Sequence, residues 1–113
     1  MTESAVDWVQ RQGCRLEAGG EPFVVDGCNT YYLMVYAADP SLRDHVDAVL
    51  DHAVEMELNT IRTWAFCDGP DEWNALQPAP GVHDENVLKG LDSVLREARR
   101  RELRLILPFV HYW

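Results

Sequence analysis

Two amphipathic helical stripes, each set between short apolar runs, restrict the folds open to this chain more than any other feature. The first opens at Asp39-Pro40: aspartate suits an N-cap, and proline suits the first helical position because its missing donor would have gone unpaired there. Leu42, Val46, Val49, Leu50, Ala53 and Met56 then recur at spacings of three and four, which gives one apolar face. The second starts near Asp84-Glu85, whose charges suit a helix N-terminus, and carries Val87, Leu88, Leu91, Val94, Leu95 and Ala98 as its stripe. Strand candidates flank both: Val24-Val25-Asp26-Gly27-Cys28-Asn29, the stretch from Leu58 to Thr63, and the stretch from Arg104 to Val110. Helical crossovers between successive strands imply parallel pairing and right-handed connections.

Ahead of that unit, Val9-Gln10-Arg11 and Arg15-Leu16-Glu17 read as two short strands. Gly19-Gly20-Glu21-Pro22 reads as the turn before a third at Phe23-Val24-Val25. Residues 1–6 are polar and expected to fray. The expected division is a hairpin over 1–22 and the first βα units over 23–113. A chain of 113 residues has material for one core and is too short for two.

All three parallel strands end in the same kind of residue: Asn29 with Tyr31 and Tyr32, Arg62 with Trp64, and His111 with Tyr112 and Trp113. In parallel α/β folds ligands collect at that end. Arg62 needs a reason, because a guanidinium inside a short apolar strand is costly unless it meets an anion with full hydrogen bonding. Trp64 follows on the same face, and an indole beside an arginine makes a platform for a flat apolar surface such as a sugar ring or a base. A structural ion pair beside a core tryptophan accounts for the same spacing, so both readings stay open. The tyrosines could line a sugar-binding cleft, but core rings with satisfied hydroxyls are the simpler account.

Charge and cysteine usage narrow the classes further. The net charge of -9 argues against nucleic acid and against anionic membrane surfaces, which reward Lys and Arg. Arg96, Arg99, Arg100 and Arg101 suit the end of a helix dipole rather than a nucleic-acid patch. No run of about 18 apolar residues occurs, so no membrane span is expected. Met1-Thr2-Glu3-Ser4 lacks the basic start and apolar middle of a secretory signal. Cys14, Cys28 and Cys67 are isolated and odd in number, which indicates reduced core residues and neither a zinc knuckle nor a disulfide framework. His45 and His52 share a helix face with Asp44, Asp47 and Asp51, a set better read as a solvated acidic face than as a metal site. No cofactor is expected.

The segment 65–82 is long and irregular, yet Trp73 argues against disorder, and ordered loops of this length are usually functional. Its acids Asp68, Asp71 and Glu72 are too close in sequence to face one another across a scissile bond, so they read as turn formers and solvated charges. Parallel sheets are normally covered on both faces. A sheet whose third strand is the last element is better explained as a barrel cut short, and the isolated chain is expected to be poorly stable.

Asn29-Thr30-Tyr31-Tyr32-Leu33-Met34, then Ile61-Arg62-Thr63-Trp64-Ala65-Phe66 with Asp68-Gly69, Ala75-Leu76-Gln77-Pro78 with Pro80-Gly81-Val82, and Leu105-Ile106-Leu107 through Trp113 carry a resemblance. In that order they look like the N-terminal part of the endo-β-1,4-mannanases of glycoside hydrolase family 5. The resemblance implies an α/β fold, the first part of a (β/α)₈ TIM barrel with about three parallel strands and two helices, preceded by an N-terminal β-hairpin. It further implies retaining hydrolysis of internal β-1,4-mannosidic bonds, with one Glu protonating the leaving oxygen and another attacking the anomeric carbon. Those glutamates follow the family's fourth and seventh strands, so both are expected beyond Trp113 and no acid of this chain matches them.

By the same resemblance Arg62 matches the arginine that orients the nucleophilic carboxylate, and Trp64 and Trp113 match cleft aromatics. Asn29, Tyr31, Tyr32 and His111 complete the expected substrate contacts. His111-Tyr112 stands where many relatives have Asn-Asn or Asn-Tyr, and Tyr32 stands where many have Trp, which puts fine subsite contacts in question. The implied partner is a mannan-type polysaccharide and the implied location extracellular, with the remainder of the barrel missing. A non-catalytic carbohydrate-binding or assembly piece is the alternative. A phosphate-binding domain is disfavoured because no glycine-rich loop follows any strand.

Overall fold

The computed structural model describes residues 7–110. The frayed start expected for 1–6, and His111, Tyr112 and Trp113, lie outside the described residues. The chain begins with an antiparallel meander of β1 (Gln10–Gln12), β2 (Arg15–Ala18) and β3 (Glu21–Pro22). Gly19 and Gly20, both at positive φ, make the tight turn that only glycine adopts without strain. The third strand therefore forms at Glu21–Pro22 rather than at 23–25. Phe23 still donates its amide to the Leu16 carbonyl at 2.8 Å, and the Arg104 guanidinium lies 4.8 Å from the Phe23 ring centre. That contact, with Arg104 Nη2 donating to the Asp7 carbonyl at 2.9 Å, fastens the meander to the main sheet.

The main sheet has three parallel strands in the order β4 (Gly27–Asn29), β5 (Thr60–Arg62), β6 (Arg104–Ile106). Parallel pairing with helical crossovers was the sequence expectation and is what forms. The strands are shorter than the apolar runs suggested, and Val24 and Val25 precede β4 as exposed residues. Only β5 is buried: Thr60 and Ile61 are enclosed, whereas β4 is exposed throughout and Ile106 of β6 is half-exposed. Gly27 is required by the pairing itself, since a Cβ there would come within 2.3 Å of the Thr60 carbonyl oxygen.

Asn59 binds the entry ends of all three strands together. Its Oδ1 accepts the Asp26 amide at 2.9 Å, and its Nδ2 donates to the Val24 carbonyl at 2.8 Å. Its own carbonyl accepts the Arg104 amide at 2.9 Å. The side chain thus satisfies the Asp26 amide and Val24 carbonyl that the entry to β4 leaves orphaned, while the main chain serves β6.

Three α-helices form among the described residues, one more than expected. The addition is α1 (Leu33–Ala37), inside the tyrosine-rich segment. Asp39 caps the next turn as the sequence predicts, but the turn it caps is the 3-10 segment Pro40–Leu42. The α-helix proper, α2, runs from Arg43 to Glu55. The Ser41 hydroxyl and amide both donate to Asp39 and hold its carboxyl below the usual range. Asp84 caps α3 (Glu85–Arg100) by accepting the Asn86 and Val87 amides, as expected.

The core gathers Leu33, Ala37, Val46, Leu50, Ala53, Ile61, Val94, Ala98 and Leu103. Met56 and Leu95, counted in the stripes, are 59% and 40% exposed, because both sit at the margin of the apolar arc. α1 and α3 cross so closely at Gly90 that a Cβ would lie 2.8 Å from the Met34 carbonyl oxygen and from the Ala38 amide nitrogen. Five residues are too few for a helix to persist alone. α1 is instead held from outside, its terminal carbonyls accepting Asn74 Nδ2 at Val35, Arg43 Nε at Ala37 and Asn86 Nδ2 at Ala38.

Arg101 ties α2 to α3. Its guanidinium meets Asp51 at 2.7 Å and Asp47 at 3.8 Å on one helix and Glu97 at 3.0 Å on the other. Burial opposes the charge on Glu97, yet hydrogen bonds from Arg101 and the nearby Arg100 outweigh it and hold the carboxyl below its ordinary value.

Both long helices end in a glutamate at positive φ, Glu57 at 61° and Glu102 at 58°. Leu58 donates back to Ala53, and Leu103 to Ala98, the closure in which glycine is preferred. Replacing Glu57 by Gly is expected to raise stability by roughly 0.5–1 kcal/mol by relieving the left-handed strain, read as a higher urea midpoint. Gly90→Ala should act the other way, lowering it by about 1–3 kcal/mol as α1 and α3 are pushed apart. An unchanged midpoint in that variant would show that the crossing can relax.

Candidate functional site

The register Asn29↔Arg62↔Ile106 aligns the ends of the three strands. Asn29 and Arg62 stand side by side, and Arg62 Nη1 donates to Asn29 Oδ1 at 3.0 Å. Arg62 is not enclosed in an apolar strand, contrary to the expectation from sequence. Its side chain is exposed, and among the described residues its partner is an amide rather than a carboxylate. At the end of so short a strand the residue already faces solvent, so no buried anion is required. What remains is an exposed guanidinium, held by Asn29 and with donors to spare among the described residues, at the ligand-collecting edge of the sheet.

Pairing continues past the strand ends and positions the aromatic residues. Thr30 donates to the Arg62 carbonyl at 2.9 Å, Trp64 to the Tyr31 carbonyl at 3.1 Å, and Ala65 to the Pro108 carbonyl at 3.0 Å. Thr63 Oγ1 also donates to the Tyr31 carbonyl, at 3.3 Å, so Tyr31 is fixed beside Trp64 by two donors. Their ring centres are 4.7 Å apart. Trp64 stacks on Phe66 at 4.6 Å and 24°. On the other side Tyr31 meets Tyr32 edge-on at 5.5 Å, Tyr32 meets Tyr36 at 4.5 Å, and Tyr36 meets Trp73 edge-on at 5.8 Å. Six rings from three segments thus form one continuous wall around a hollow of about 230 Å³, into which Glu72 and Cys67 also face.

Sequence reading brought Asn29, Arg62, Trp64, Tyr31 and Tyr32 to this edge, and the structure gathers all five there. It also adds Tyr36, Phe66, Glu72 and Trp73. Phe66 was within reach of the sequence, lying one alternation beyond Trp64. Trp73 was not, because it arrives through a loop whose path no periodicity describes.

Burial, with the Tyr36 and Tyr31 phenols nearby, pushes the Tyr32 hydroxyl above its ordinary value, so it remains a protonated donor at neutral pH. It lies 3.3 Å from His45 Nε2, and His45 also packs on the Tyr36 ring at 5.3 Å. This histidine, read as part of a solvated face, is therefore a neighbour of the site. Among the described residues no group of three or more His, Cys, Asp or Glu is placed to hold a metal ion. Asp68, expected to form a turn, instead pairs with Gln77 across the loop, its carboxylate accepting Gln77 Nε2 at 3.2 Å. A second hollow, of about 320 Å³, lies between Phe66, Leu76, Leu88, Leu91 and Phe109.

The cysteine expectation is half right. All three are free, but Cys14 and Cys28 are exposed and Cys67 is only partly buried, so they are not core residues. Cys14 sits in a turn and Cys28 on an edge strand, where the core does not reach, whereas Cys67 packs on the margin of the cluster formed by Met34, Ala38, Leu76 and Val87.

A parallel βαβαβ layer, with amide, guanidinium and aromatic groups at the carboxyl ends of its strands, has the form of part of an α/β barrel and its ligand face. Comparison with known proteins agrees. A family model described as GH family 5 beta-mannosidase-like matches residues 6–113. Mannan endo-1,4-beta-mannosidase 3 of Solanum lycopersicum is 50% identical over 97 residues, covering 86% of this chain and 24% of that protein. Mannan endo-1,4-beta-mannosidase 8 of Oryza sativa subsp. japonica is 46% identical over 105 residues, covering 93% of this chain and 28% of that protein. The crystal structure of a glycoside hydrolase family 5 mannosidase from Rhizomucor miehei superposes with a TM-score of 0.89 at 25% identity, covering 98% of this chain and 29% of that one.

The chain belongs to the β-mannosidase-like proteins of glycoside hydrolase family 5, and its parallel layer is the first part of their barrel. It spans only 24% and 28% of the length of those two curated relatives.

Desolvation, reinforced by the Glu72 charge, raises the Cys67 thiol above its ordinary value, and only the thiolate is nucleophilic. At pH 8 iodoacetamide is expected to label the exposed Cys14 and Cys28 well before Cys67, as followed by peptide mass spectrometry. Equal rates would mean that the hollow is open to bulk solvent.

Proposed function

We propose that this chain supplies the first strands and part of the substrate cleft of an endo-β-1,4-mannanase, an enzyme of retaining hydrolysis on mannan-type polysaccharide. The observation that carries this reading is the pairing of Arg62 with Asn29 directly beside the Trp64 and Tyr31 rings, at the carboxyl ends of parallel strands. An indole and a phenol offer apolar faces to the C–H face of a sugar, while the amide and guanidinium offer directional hydrogen bonds to its hydroxyls. The relatives named above as mannan endo-1,4-beta-mannosidases support mannan over other polysaccharides.

Retaining hydrolysis needs two carboxyl groups about 5–5.5 Å apart, and among the described residues lining the aromatic hollow Glu72 is the one carboxylate. In this reading both glutamates come from polypeptide beyond Trp113. Arg62 is then a positioning residue: its donors not used by Asn29 hold the nucleophilic carboxylate in the charged state and in line with the anomeric carbon. Trp64, Tyr31, Tyr32 and Asn29 bind substrate, joined by His111 and Trp113. No helix among the described residues is long and apolar enough to cross a membrane. An extracellular site of action fits a polymeric substrate that cannot enter a cell.

Residues 7–110 can be exchanged for the matching segment of a curated tomato or rice relative, and the chimaera assayed for reducing ends released from mannan. Activity is expected, with Arg62→Ala lowering kcat by about 10²-fold through a displaced nucleophile while KM changes little. Saturable mannan binding without new reducing ends would instead favour a non-catalytic binding role. A rise in KM alone in Arg62→Ala would assign the arginine to the substrate.

A further inference from the structure

The loop 65–82 is ordered by its own bonds. Gly69 donates to the Gln77 carbonyl at 3.1 Å and Gln77 to the Cys67 carbonyl at 3.0 Å, while Gly81 donates to Gln77 Oε1 at 2.8 Å. Ala75 and Leu76 are buried beneath it, and Asn74, at a φ of 52°, ties it to α1 through the Val35 carbonyl at 3.0 Å. A loop held this firmly has no need of another apolar anchor, yet the residue before Asn74 is a tryptophan left 51% exposed. Its ring touches Tyr36 only edge-on, so an indole face stays available on a rigid support, the condition under which an aromatic contact costs least to make.

Glu72 precedes it and lines the same hollow. Among the described residues no cation pairs with this carboxylate and no donor is bonded to it. The hollow's volume of about 230 Å³ is below the ~300–1,000 Å³ of pockets for drug-sized ligands. It therefore suits one ring rather than two.

We propose that Trp73 and Glu72 form the outer wall of a second sugar subsite, which takes one hexopyranose unit of the same β-linked chain next to the unit stacked on Trp64. The Trp73 face covers the C–H side of that ring, and the Glu72 carboxylate accepts hydrogen bonds from two neighbouring hydroxyls, as its two oxygens allow. Tyr32 and Tyr36 form the floor between the two indoles. The subsite rewards longer oligosaccharides over shorter ones and so determines chain-length preference. It rests on the mannan reading above.

The test is titration of the full chain with mannotetraose and with mannobiose, followed by heteronuclear NMR. Trp73→Ala is expected to weaken mannotetraose about tenfold, the equivalent of roughly 1.4 kcal/mol for a lost aromatic contact, and to weaken mannobiose much less. Trp73→Phe, which retains a stacking face, should recover most of the affinity, and Glu72→Gln should also favour the shorter sugar. Far-UV circular dichroism identifies any variant that has lost the fold, and Glu72→Gln, at an exposed position, then decides the matter. Loss of both sugars in Trp64→Ala, with neither altered by Trp73→Ala or Glu72→Gln, overturns the second subsite and leaves the mannan reading standing. No binding of mannotetraose by the unsubstituted chain overturns the second subsite, while the mannan reading is decided by the chimaera assay above.

Discussion

Everything in this molecule hangs from the middle strand. Among the described residues β5 is the only parallel strand with a neighbour on each side, and its Thr60 and Ile61 are the only strand residues fully enclosed. Buried backbone groups must find partners, and here they do so twice over, in β4 and in β6. Asn59 fixes the entry ends of the three strands from one position, its side chain bonding the approach to β4 and its main-chain carbonyl the Arg104 amide of β6, so the register is set before any ligand-facing residue is reached. Each site side chain inherits its place from that register.

The placement has a chemical consequence. In a parallel sheet every carboxyl end emerges on one rim, and residues 33 positions apart, Asn29 and Arg62, become hydrogen-bonded neighbours. Beyond the last paired residue the same backbone pattern runs on through Thr30, Trp64 and Ala65, so the Tyr31 and Trp64 rings are carried by extended pairing rather than by free loops. A side chain on such a support loses little further freedom on binding. The loop 65–82 then brings Trp73 to the same wall by a different route, through its Asn74 bond to α1.

Arg62 shows how a sound premise can lead to the wrong burial. A guanidinium enclosed in a strand would indeed demand an anion, but β5 is only three residues long and Arg62 is its exposed last member. The exposed guanidinium keeps donors that Asn29 does not use, and these are the ones the proposed function assigns to a carboxylate. The free cysteines show the same error of assuming burial, since Cys14 and Cys28 lie on strands or turns the core does not reach.

The order of the main elements and the parallel pairing were determined by the sequence alone, because helical and strand periodicities are local and because a helix between two strands leaves little choice of direction. The caps Asp39 and Asp84 were legible for the same reason, a short side chain reaching amides two or three residues on. So was the gathering of Asn29, Arg62, Trp64 and the tyrosines at one rim. Tertiary structure alone decided that Leu33–Ala37 would be helical. Those five residues form a helix through the close crossing at Gly90 and through side chains from Asn74, Arg43 and Asn86, none of which is a sequence neighbour. It likewise decided that Trp73 would face Tyr36 and that Arg62 would be exposed, since both depend on where a loop turns and a strand stops, and those endpoints are set by contacts between segments far apart in the chain.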